Sequence, residues 1–119
     1  MSDDAPQPVQ PVAAIDRRNG ATIVQLAGEL DLYNADEVRA ALTTAIAAGP
    51  DRVIVDMSQV EFIDSTALGV LIEARSKLGR GGLTLAAPQI ETRRALQVSG
   101  LDRHLPVHES IDEALAAPA

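Results

Sequence analysis

Cysteine is absent from the 119-residue chain, which excludes disulfides, thiolate metal sites and cysteine nucleophiles together. Tryptophan is absent as well, and there is one Phe and one Tyr, so no aromatic platform is available for stacking nucleobases. The core has to come from Leu, Val, Ile and Ala. Positive charge is scarce: 10 Lys and Arg against 17 Asp and Glu leave a formal net charge of -7. That is the wrong sign for a surface that neutralises nucleic-acid phosphates or anionic lipid heads. No uninterrupted apolar stretch nears the roughly 18 residues that suggest a membrane span. The opening MSDDAPQPVQP is acidic and has no apolar signal-peptide core. The expectation is a soluble cytoplasmic protein with no direct contact to nucleic acid or membrane.

What the chain does have is a 46% hydrophobic composition in a length suited to one domain with one modest core. Residues 1–11, with three prolines, two Asp and two Gln, bury too little to repay ordering and read as a flexible tail. Two strand-like segments, Val12 to Arg18 and Ala21 to Ala27, flank Asn19-Gly20, a pair that tolerates the positive φ of a tight hairpin. From Asn34 to Ala48 a helical stripe runs through Val38, Ala41, Leu42, Ala45 and Ile46, with Asn34 as N-cap, Glu37 completing a capping box, and Gly49-Pro50 as the stop. RVIVDM is apolar at consecutive positions, as in a central strand covered on both faces. A second helix from Ser65 to Leu78 carries Leu68, Leu71, Ile72 and Leu78 on its apolar stripe and has Arg75, Lys77 and Arg80 near its negative end. GGLTLAA gives a further strand, the span from Pro88 to Gly100 a third helix, and HLPVH a short edge strand. Ser110 and Glu113 cap a last helix. The order β-β-α-β-α-β-α-β-α predicts an α/β fold: a mixed sheet in which an antiparallel hairpin is followed by parallel βα units.

Candidate chemistry is sparse. His104 and His108 stand four apart, but the residues between them are extended and include Pro106, so they read as surface histidines flanking a strand rather than metal ligands. A hydrolase built on Ser65 would need a base from one of those distant histidines. The Gly79 to Gly82 stretch follows a helix and precedes a strand, the reverse of a phosphate cradle, and reads as a helix stop and turn. Glu29 and Asp31 default to a solvated loop. No catalytic residue, metal or cofactor is expected. The remaining feature is EFIDSTALGVL, which places Asp64, Ser65 and Thr66 at a helix start, where Asp64 or Ser65 can cap the helix and a hydroxyl can also accept a phosphate. The two roles are compatible.

The ordered set GELDLYNADEVRAAL, VIVDMSQVEFIDSTALGVLIEA and GGLTLAAPQIETRRALQVSGLDRHLPVHESIDEAL resembles a STAS domain, and more narrowly the bacterial anti-sigma-factor antagonists. The resemblance runs from Val12 to Leu115, within a domain of residues 12–117. It implies a STAS fold with helices packed on a mixed sheet, and a regulatory protein that is not an enzyme. It also implies a partner-switching cycle in stress-response transcription. The unphosphorylated protein binds an anti-sigma factor with Ser/Thr kinase activity and frees the sigma factor; phosphorylation at Ser65 blocks binding; a serine phosphatase restores it. ATP then belongs to the kinase, and this chain carries no cofactor. Asp31, Asp64, Thr66, Leu68 and Gly69 are the implied partner-contacting residues. Ala67 stands where many relatives have Gly, and Thr66 where many have a second Ser; neither change removes the acceptor. The alternative implied by the same resemblance is an unphosphorylated STAS scaffold in a lipid-transport ATPase or a larger signalling assembly.

Overall fold

The hairpin at Asn19-Gly20 starts the fold. Both residues adopt positive φ, 52° and 83°, and a Cβ on Gly20 would lie 2.8 Å from the Asp51 carboxylate, so the turn needs glycine for space as well as for conformation. It joins β1 (Val12–Arg18) to β2 (Ala21–Leu30) in antiparallel register, with Ile15 opposite Val24. The chain continues through α1 (Ala35–Ala47), β3 (Arg52–Ile63), α2 (Ser65–Leu78), β4 (Leu83–Ala86), α3 (Ile90–Ser99), a single 3-10 turn at Leu101–Arg103, β5 (Val107–His108) and α4 (Ile111–Ala116). This computed structural model describes residues 10–79 and 82–117. The five strands lie in chain order β1-β2-β3-β4-β5, antiparallel at the first pairing and parallel at the other three, so the predicted mixed α/β sheet is what forms.

Alternation along the strands sorts side chains to the two faces. Val24, Leu26, Val53, Val55, Met57, Leu83 and Leu85 point to one face and form the main core with Val38 and Leu42 of α1, Val70 and Leu71 of α2, and Leu96 of α3. Ala21, Ile23, Ile54 and Ala86 point to the other face, where, among the described residues, the six-residue α4 packs through Ala114 and the half-buried Ile111 and Leu115. Central strand β3 is thus covered on both sides, as its consecutive apolar residues require.

The structure corrects the expected stripe of α2 and extends the reading at two other places. Residues 1–9 of the expected tail lie outside the described residues; Pro11 is buried, and its carbonyl accepts the Ala27 N–H at 3.0 Å. The buried stripe of α2 is rotated from the expected one. Ala67, Val70 and Ala74 face inward, whereas Ile72 is 49% exposed. Each residue turns the helix by about 100°, so the two small alanines shift the buried face by a fraction of that step and carry Ile72 out of it. Strand β3 runs past the RVIVDM segment. Two one-residue bulges let it continue to Ile63 beside β2, the first marked by Gln25 opposite Asp56 and then Ala27 opposite Gln59, the second by Gly28 opposite Val60 and then Glu29 opposite Phe62. Of the expected Gly79 to Gly82 turn, Arg80 and Gly81 lie outside the described residues. No helix among the described residues is long and apolar enough to cross a membrane.

Candidate functional site

The extension of β3 delivers Asp64 directly to the start of α2. Asp64 is the N-cap, with extended backbone, and its Oδ1 accepts the Ala67 N–H at 3.0 Å while its backbone carbonyl accepts that of Leu68. The choice left open between Asp64 and Ser65 is therefore settled geometrically: Ser65 is the first residue inside the helix. Its hydroxyl and that of Thr66 are exposed and make no hydrogen bond among the described residues. Both belong to a first turn whose N–H groups carry the positive end of the helix dipole.

The second oxygen of Asp64 reaches across to the β2–α1 loop, where Oδ2 accepts the Leu32 N–H at 3.1 Å. Backbone pairing supports the same junction, with Asp64 N–H donating to the Leu30 carbonyl at 3.0 Å. That loop is braced from within. Asp31 Oδ1 accepts the N–H groups of Tyr33 and Asn34, Asn34 Oδ1 accepts the Asp31 N–H at 2.9 Å, and Asn34 Nδ2 donates to the Glu29 carbonyl at 2.8 Å. Asn34 occupies the N-cap position of α1 as predicted but makes no side-chain cap bond, because its amide is spent on the loop. The brace turns Leu32 and Tyr33 outward, 61% and 87% exposed.

The sequence-derived site residues divide accordingly. Asp31, Asp64, Ser65 and Thr66 come together at one end of the sheet. Gly69 follows Ser65 by one helical turn on the outward side of α2, and nothing lies within 4 Å of a Cβ built there. Leu68 turns inward and joins the main core, so its side chain is committed to packing rather than to the surface. Leu32, Tyr33 and Ile72 were not anticipated in this surface. Their signal was apolar residues in a loop and off a helix stripe, which periodicity alone treats as noise.

On the flank of this surface Arg39 of α1 grips Glu73 of α2 with a two-pronged pair, Nε to Oε2 at 2.9 Å and Nη2 to Oε1 at 3.3 Å, and also bonds Asp36. The hydrogen bond from Arg39 holds the Glu73 carboxyl below its ordinary value, reinforced by the charges of Arg39 and Lys77 and opposed by desolvation. The same hydrogen bond raises Arg39 further. Of the histidines, His104 is exposed after the 3-10 turn and His108 lies in edge strand β5. Among the described residues no cluster of three or more His, Asp or Glu could hold a metal ion.

Known proteins are similar to this chain in sequence and in fold. The anti-sigma-F factor antagonist RsfB of Mycobacterium tuberculosis is 30% identical over 98 residues, which cover 82% of this chain and 80% of that protein. The crystal structure of an anti-sigma factor antagonist from Mycobacterium paratuberculosis superposes with a TM-score of 0.80 at 31% identity, covering 86% of this chain and 88% of that one. The Bacillus cell fate determinant SpoIIAA, solved in its phosphorylated form, gives a TM-score of 0.64 at 25% identity over 86% of this chain and 95% of that one. With residues 13–114 matching the family's sequence model from within β1 to within α4, this chain belongs to the STAS domain family.

Proposed function

We propose that this chain is an anti-sigma factor antagonist whose unphosphorylated form binds an anti-sigma factor with serine kinase activity, and that phosphorylation at Ser65 ends the binding until a serine phosphatase reverses it. The observation that carries this reading is the free, exposed Ser65 hydroxyl at the first position of α2, set beside outward-facing Leu32, Tyr33, Gly69 and Ile72. The kinship with proteins named anti-sigma factor antagonists supplies the partner class.

The physics of the switch follows from the position. A phosphate on Ser65 adds roughly -1.5 to -2 charge near pH 7. Within the domain, the repulsion from Asp64 is opposed by the helix N-terminus, equivalent to about +0.5 charge, so the fold tolerates the anion. A close-packed apolar partner surface offers no such offset, and burying an unpaired dianion there costs roughly 2–5 kcal/mol, about thirtyfold to several thousandfold in affinity. Thr66 lies about 100° round the helix from Ser65 and carries a β-methyl that restricts approach, so Ser65 is the acceptor.

The test is to incubate wild type, Ser65→Ala and Thr66→Ala with the anti-sigma kinase of the same organism and ATP, then map the product by mass spectrometry. Phosphate is expected on Ser65 in wild type and in Thr66→Ala and is absent from Ser65→Ala, which still binds the kinase. Incorporation into Ser65→Ala, or phosphorylated protein that binds its kinase as tightly as unmodified protein, overturns the reading.

A further inference from the structure

The aspartate of the RVIVDM segment in β3 contributes nothing to the Ser65 surface. This residue, Asp56, lies on the opposite sheet face, 5% exposed, in the wall of a cavity of about 210 Å³. Among the described residues, short α4 leaves this part of the sheet uncovered, and the cavity opens between β1 and the start of α4. One oxygen of Asp56 is engaged by the fold, since Oδ1 accepts the Ser58 N–H at 3.0 Å and steadies the first β3 bulge. Among the described residues this carboxylate has no cationic partner. The one cation that lines the cavity among the described residues, Arg18, sits 3.9 Å from Asp16 instead. The second oxygen of Asp56 makes no hydrogen bond among the described residues, and a cation bound in the cavity would supply the missing counter-charge.

We infer that this cavity is a binding site for a compact alkylammonium ligand, with Asp56 as its anchoring counter-charge. Three side chains in the wall can accept hydrogen bonds, the carboxylates of Asp56 and Asp16 and the amide oxygen of Gln25, and an ammonium head has three N–H donors to offer them. Ala14, Ile23 and Ile111 supply the aliphatic wall for a short hydrocarbon chain. The volume falls below the roughly 300–1,000 Å³ typical of sites for larger ligands, which sets the size of the amine. A hard metal cation would use the same oxygens but not the aliphatic wall of Ala14, Ile23 and Ile111, which favours an alkylammonium. The site is independent of the Ser65 switch and rests on no part of it.

The experiment is a titration of the uniformly 15N-labelled full chain with n-butylammonium chloride, followed by amide chemical shifts. Potassium chloride at equal ionic strength and 1-butanol serve as controls. The expected result is saturable movement of the Gln25, Asp56, Ser58 and Ile111 amides with the ammonium salt alone. Asp56→Asn keeps an oxygen for the Ser58 N–H and should weaken binding about tenfold or more. Ala14→Leu, made at an exposed rim position, should fill the cavity and abolish binding without lowering the melting temperature, and it decides the matter if Asp56→Asn does not fold. Equal shifts with potassium chloride, equal binding of 1-butanol, or wild-type affinity in Ala14→Leu overturns the inference. Retained affinity in a folded Asp56→Asn does the same.

Discussion

At the scale of single residues, Asp64 holds two elements with one carboxylate, capping α2 through Oδ1 and fastening the β2–α1 loop through Oδ2. Replacing it by Ala removes a cap worth about 0.5–2 kcal/mol and a second hydrogen bond worth about 0.5–1.5 kcal/mol. Asp64→Ala should therefore lower urea-unfolding stability by about 1–3 kcal/mol. Ser65→Ala, which loses an exposed hydroxyl with no partner in the fold, should stay within about 0.5 kcal/mol of wild type. Equal losses in the two variants would return the capping role to Ser65. The sequence could not choose between them because Asp and Ser are both favoured caps. The choice depended on where β3 ends, and that was set by the bulge after Asp56 and by pairing with β2 out to Ile63. The loop brace was hidden for a related reason. Asn34 looked like a cap because Asn before a helix is a cap signature, yet its amide was claimed by Asp31 and Glu29.

At the scale of elements, the hairpin, the element order and the class of sheet were legible because turn chemistry and hydropathic period agree along most of the chain. The orientation of α2 was not, since its two inward alanines carry little hydropathic weight against Ile72. The packing predicts unequal costs: Leu71→Ala, truncating a side chain 1% exposed in the main core, should lose about 2–5 kcal/mol. Ile72→Ala should lose less than about 1 kcal/mol. Equal losses in equilibrium unfolding would restore Ile72 to the core. The α1–α2 contact also titrates. Glu73 is held below its ordinary value of 4.5, so its pairing with Arg39 is fully present above that pH and fades as pH falls through the lowered folded value. Glu73→Gln should flatten the acid-side decline of stability, measured by urea unfolding at a series of pH values. The effect should be small and shrink further in high salt, because both side chains are well exposed. An unchanged acid slope in Glu73→Gln would show that the pair adds nothing.

At the scale of the whole molecule, the two sheet faces have different roles: α1, α2 and α3 bury the main core, with α2 and the β2–α1 loop presenting the Ser65 surface, while among the described residues α4 covers only part of the other face. Gly69 shows how the presented surface trades stability for contact. It sits in the middle of α2 with ordinary helical backbone and open space where a side chain would go, so the fold itself does not require glycine there. Glycine inside a helix costs roughly 0.8–1.0 kcal/mol relative to Ala. Gly69→Ala should therefore raise thermal and urea stability by about that amount. If the anti-sigma partner packs against bare helix backbone beside Ser65, a larger side chain must push it away. Gly69→Phe should fold as well as wild type yet bind the partner at least about tenfold more weakly, as measured by calorimetry on the unphosphorylated proteins. A stabilised Gly69→Ala combined with undiminished binding by Gly69→Phe would place the partner elsewhere on the domain and would separate Ser65 modification from direct exclusion at the interface.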